Sequence, residues 1–233
     1  MNTLKGPFKI VTKEMGMTFY INAGITLALF ALYIFLSSQA DGNEYLGLLF
    51  GPFYVIFLVY PFILFKSYNF ILSFGGTRKQ FIISTFISTL IFIIIGTVIL
   101  NVLNIISEMT FQNGYMFHMA DILADPNAAM YFWIDFLWLF ILFGIGMFAQ
   151  VINFNLGTLR TLSLGGILIL ASIAMYFFID LTPLFEFFIT DHLLFIHLLA
   201  FLSLVFLVLS YFMMRNAPLA RGDRKIFHRA ETN

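Results

Sequence analysis

The sequence predicts an all-α integral membrane protein of six transmembrane helices with both termini cytoplasmic, and three observations carry that prediction. At 61% hydrophobic and 10% charged residues, with a mean hydropathy of +0.96, the chain is far too apolar for an ordinary soluble domain. Uncharged apolar stretches at 15–40, 45–65, 80–107, 136–159, 161–179 and 192–214 each approach or exceed the roughly 20 residues that a spanning helix needs. All 12 basic residues fall in alternate segments between and beyond these stretches: Lys5, Lys9 and Lys13; Lys66, Arg78 and Lys79; Arg160; and Arg215, Arg221, Arg224, Lys225 and Arg229. The opposite segments hold Asp41, Glu44, Glu108, Asp121, Asp125, Asp180, Glu186 and Asp191, with no Lys or Arg. Positive charge near span ends is retained in the cytoplasm, so a multi-pass plasma-membrane protein is expected, and the net charge of zero conceals two opposed faces.

Membrane-barrel strands would alternate polar and apolar residues, which these runs do not. The connecting segments are too short for an independent domain, so a single transmembrane domain over 1–233 is expected. Without cysteine there are no disulfides and no thiolate metal sites. The first apolar run is too long for a signal-peptide core and is read as an uncleaved span despite Ser38, Gln39 and Ala40 at its end.

In chain order, Phe8, Val11, Met15 and Phe19 recur at spacings of three and four while Lys9 and Lys13 sit on another face. With Pro7 in the first turn, 7–16 reads as an amphipathic interfacial helix leading into span one, near 18–37. That span carries the small residues Gly24, Ala28 and Ala31 on one face, fit for a subunit interface or for internal packing. Span two, near 46–65, contains Gly47, Gly51, Pro52 and Pro61 and should be kinked or locally unwound. The aromatic segment from Tyr68 to Phe74 follows, closed by Gly75-Gly76 and then the basic pair Arg78-Lys79; it reads as a docking element or as a membrane-hugging connection.

Spans three and four, near 82–105 and 129–150, are joined by an acidic outer loop; spans five and six lie near 162–179 and 192–213. Between these last two, Asp180 to Asp191 is too apolar for a free aqueous loop and should dip into the outer leaflet as a short re-entrant or interfacial helix. Residues 214–233 form a basic cytoplasmic tail, which makes its Arg221-Gly222-Asp223 a chance match to an adhesion motif.

Catalytic chemistry is missing. There is no P-loop, and no Ser-His pair, aspartate pair or His-Glu-x-x-His set at one membrane depth. Asp135 is the acidic residue inside a span; it reads either as a polar group lining a transport path or as a carboxylate anchored at the interface. His192 and His197, five residues apart, occupy different faces of span six and make a poor relay with Asp135. His118 and Asp121 offer two ligands, too few for a metal site.

The order of these parts resembles the permease subunits of the type 2 exporter family of ATP-binding cassette transporters, and Leu72-Ser73-Phe74-Gly75-Gly76-Thr77-Arg78-Lys79-Gln80-Phe81 is similar to that family's Gly-x-x-Arg-Lys segment opening the third span. The resemblance implies that the chain has no ATPase of its own and pairs with a second permease, identical or related, and with ATPase subunits that bind the ATP and magnesium. It implies that Tyr68, Asn69, Phe70, Ile71, Leu72 and Phe74, with Arg78 and Lys79, form the coupling helix and its flank, and that the helix from Pro7 is the connecting helix. The 32 phenylalanines suit a pathway for a hydrophobic drug or amphipathic peptide, or serve as lipid-facing filler. No nucleic-acid partner is expected. A non-transporting assembly or sensor subunit and a proton-coupled secondary carrier are the alternatives.

Overall fold

In the computed structural model, residues 4–39, 46–48, 50–111, 115–123 and 126–218 are described. Asp41, Glu44, Asp125 and the basic tail from 219 onward lie outside the described residues. Among those described, six helices are long and apolar enough to cross a membrane, and the protein is a membrane-embedded helical bundle.

Helix α1, Lys5–Gln39, is continuous over 35 residues, so the expected interfacial helix at 7–16 is its first portion rather than a separate element. Nothing between Pro7 and Gln39 breaks a helix, and the first turns are held to the bundle. Val11, Met15 and Phe19 are buried, the Thr12 and Ser88 hydroxyls share a hydrogen bond of 2.7 Å, and Ser67 donates to Glu14 Oε2 at 2.7 Å. At about 1.5 Å per residue such a helix is roughly 50 Å long, well beyond a hydrocarbon core of about 30 Å, so one end must project past the apolar layer.

The second span departs from its predicted start. Residues 46–48 form strand β1, Leu46–Leu48, and helix α2, Phe50–Leu64, begins after it. Strand β2, Tyr115–Phe117, pairs with β1 in parallel, Gly47 opposite Met116. Parallel pairing needs a long crossover, and the helices between the two strands supply it. A 3₁₀ turn, Phe65–Ser67, follows α2 directly and leads into α3, Tyr68–Ser73. Helix α4, Arg78–Thr110, begins at Thr77 with a capping box: the Gln80 N–H donates to Thr77 Oγ1 and the Thr77 N–H to Gln80 Oε1.

A second 3₁₀ turn, Met119–Ile122, precedes α5, Ala128–Leu156. Gly157, at φ +89°, then turns the chain within one residue into α6, Thr158–Phe178. Helix α7, Thr182–Thr190, occupies the expected outer segment. It begins beside Asp180, whose carboxyl is held below its ordinary range by hydrogen bonds from the Thr182 side chain and backbone N–H. Helix α8, His192–Arg215, completes the bundle, and Phe187 and Phe188 of α7 pack on its Phe195.

Helix α5 is central, with α2 and α8 pressed against it. Lipid tails are as apolar as leucine, so packing drives these contacts, and small residues permit it. A Cβ at Gly144 would overlap the Ser203 hydroxyl of α8, and one at Gly146 would overlap the Leu58 carbonyl of α2. In contrast α6 buries no residue, and Gly165 and Gly166 have open space beside them.

Candidate functional site

Two places combine polar or exposed aromatic chemistry with a fixed geometry. The first is the end of the molecule that carries Lys66, Arg78 and Lys79. Phe65, Tyr68, Phe81 and Phe154 interlock there, with ring centroids 4.9–5.5 Å apart for Tyr68–Phe154, Tyr68–Phe81, Phe65–Phe81 and Phe65–Phe154. This cluster ties α3 to α4 and α5. Tyr68 and Ile71 are therefore core residues, although they belong to the expected docking set. Phe70 and Phe74 are different: they are 51% and 74% exposed, and their rings pack together at 4.6 Å. Asn69 and Lys79 are exposed, and Leu72 and Arg78 half-buried.

Glycine ends α3 as expected. Gly75 adopts φ +79°, its N–H donates to the Leu72 carbonyl at 3.1 Å, and the Gly76 N–H donates to the Ile71 carbonyl at 2.9 Å. These two bonds are the Schellman pattern. Gly76 is needed for space, since a Cβ there would lie 2.6 Å from Ile71 Cγ2. The short helix is thus clamped below by aromatic packing and at its end by the turn, and it presents two phenylalanines outward.

The second place surrounds Asp135, which is fully buried within the protein. Three neutral donors converge on its carboxylate. Tyr54 of α2 donates to Oδ1 at 2.7 Å, and Asn101 Nδ2 of α4 donates to Oδ2 at 3.0 Å. His118 Nε2 lies 3.0 Å from the same Oδ2. His118 Nδ1 accepts the Ala120 N–H at 3.0 Å, so the ring proton sits on Nε2 and is donated to Asp135. A buried carboxylate is tolerable only when its lone pairs are satisfied, and here two helices and the β2–α5 connection supply that.

The same connection is fixed by Asp121, which accepts the His118 backbone N–H at Oδ2 and the Tyr131 hydroxyl at Oδ1, the latter at 2.6 Å. Asp121, Tyr131, Glu108, Asn104 and Ser107 line a cavity of about 590 Å³ next to this network. The described residues contain no group of three His, Asp or Glu able to hold a metal ion, and His118 and Asp121 meet through backbone capping rather than as co-ligands.

His192 and His197 make other contacts: His197 Nε2 accepts from Trp133 Nε1 at 3.0 Å, and His192 Nδ1 lies 3.2 Å from the Phe188 carbonyl. Gly24, Ala28 and Ala31 are all exposed, so the small stripe of α1 is not buried by the described residues. Tyr54, Asn101 and His118 are the partners of Asp135 that reading the sequence misses; the available signal was polar residues within or beside the same apolar runs. Comparison with protein-family models, with curated proteins and with solved structures finds no match.

Proposed function

We propose that this chain is the membrane-spanning subunit of an ATP-driven exporter of a hydrophobic drug or amphipathic peptide, working with a separate ATPase subunit and a second permease copy. The carrying observation is α3, a short helix held rigidly in the aromatic cluster that presents Phe70 and Phe74 beside the basic Arg78 and Lys79. Rigid aromatic anchors on a polar rim are what a protein interface uses, and a coupling element must be stiff to pass motion into the bundle. The 3₁₀ turn at 65–67 joins it to α2 and offers a place for that motion to bend.

In this reading the basic ends of the helices and both termini face the cytoplasm, following the one-sided placement of Lys and Arg. ATP and magnesium are bound by the partner. The second permease is expected against α6, none of whose residues is buried among the described residues, and against the exposed stripe Gly24, Ala28 and Ala31. The apolar α7 dips into the outer leaflet as a re-entrant helix.

Replacing Phe70 or Phe74 by alanine should weaken ATPase co-purification about thirtyfold, because truncating one aromatic anchor typically costs about 2 kcal/mol. Membrane insertion should be unchanged, since both rings lie outside the core. If both variants keep their ATPase and full export, the docking role fails. A second reading, a proton-coupled carrier, is favoured by the buried Asp135–His118 pair beside an acidic cavity. It predicts transport that follows the proton gradient with ATPase absent.

A further inference from the structure

Lys5, Lys9 and Lys13 follow one another at four-residue intervals on α1, so their stems rise along one face in steps of about 6 Å. All three line a groove of about 720 Å³ whose apolar wall is built by Phe8, Met17 and Tyr20 of α1 and Phe92 of α4. Gly16 lies against that wall: an added Cβ would be in ordinary contact with the Phe92 ring at 3.6 Å and with Tyr20 at 3.8 Å. The Thr12–Ser88 hydrogen bond fixes α1 to α4 alongside it.

Among the described residues no carboxylate lies within ion-pair distance of these lysines; Glu14, on the same helix, is engaged by Ser67 instead. The groove therefore combines three ammonium groups that no described carboxylate pairs with and a greasy wall, which suits an occupant anionic at one end and apolar along its length. A zwitterionic choline headgroup would set its own cation against the lysines. We propose that the groove between α1 and α4 binds one anionic phospholipid, with the phosphate among Lys5, Lys9 and Lys13 and an acyl chain along Phe8, Met17, Tyr20 and Phe92. This site does not depend on the exporter reading.

The test uses the full chain, purified and stripped of lipid in detergent, titrated with phosphatidylglycerol or phosphatidylcholine of identical chains, and weighed intact by native mass spectrometry. One phosphatidylglycerol should be retained with at least about tenfold preference, since each lysine near an anionic headgroup contributes about fivefold. The triple variant K5Q/K9Q/K13Q should lose the preference, whereas K66Q/R160Q/R215Q, which removes the same charge elsewhere on the basic end, should keep it. Should the first triple variant fail to fold, K9Q alone should lower the preference about fivefold. Equal retention of both lipids, equal loss in both triple variants, or displacement by millimolar inorganic phosphate would overturn the proposal. So would a lysine-dependent dimer of the lipid-free protein, which would assign the groove to a second copy.

Discussion

Asp135→Leu is expected to leave almost no folded protein. Leucine keeps the branching at Cγ but is bulkier, and it removes at once the acceptor of the Tyr54 hydroxyl, of the His118 ring N–H and of one Asn101 amide N–H, whose other bond is to the Thr97 carbonyl. Each orphaned donor costs about 1–3 kcal/mol, and three together rival the whole stability of a typical domain, about 5–15 kcal/mol. Asp135→Asn should fall between this variant and the unmodified chain. Its amide oxygen can keep Asn101 and His118, and its amide N–H can donate to Tyr54 only if that hydroxyl turns round. Yield of monodisperse protein and thermal midpoint in detergent read the series; normal yield for the leucine variant would show that the centre does not hold the bundle together.

Gly146→Val should be nearly as damaging, for a different reason. Its Cβ would meet the Leu58 carbonyl, which is backbone in the middle of α2 and cannot swing aside as a side chain can. Overpacking costs about 1–3 kcal/mol where neighbours can shift, and more where a helix must move. Gly165→Val makes the same change of helix propensity in α6, where nothing lies within 4 Å. A thermal midpoint lowered by roughly 10 °C for the first and unchanged for the second isolates packing from propensity. Equal effects would mean that the α2–α5 contact is not close.

The helices were legible because apolar length and the absence of charge are local properties of the chain, and the Gly75 turn because a positive φ selects for glycine. Contacts between distant segments were not legible. Asp135 stood out as an acid within a span, but Tyr54 and Asn101 are ordinary residues until α2 and α4 are placed beside it. His118 and Asp121 read as two ligands, too few for a metal site; in the 3₁₀ turn the carboxylate caps the histidine's backbone, and the ring meets Asp135. Small-residue logic found Gly24, Ala28 and Ala31, which are exposed, and missed Gly144 and Gly146, where an added Cβ would overlap α8 and α2. Periodicity places small residues on one face without saying which face meets a neighbour. Tyr68 and Ile71 read as docking residues because aromatic and apolar side chains serve cores and interfaces alike, and burial separates them from Phe70 and Phe74.

Purification of the unmodified chain in gentle detergent, from membranes that also contain the ATP-binding cassette ATPase produced alongside it, tests the exporter reading most directly. The expected result is a complex of permease and ATPase in equal numbers that hydrolyses ATP, with the ATPase lost from the Phe70→Ala and Phe74→Ala forms. Recovery of the folded chain alone, with no ATPase at any detergent concentration that keeps it monodisperse, would contradict that reading.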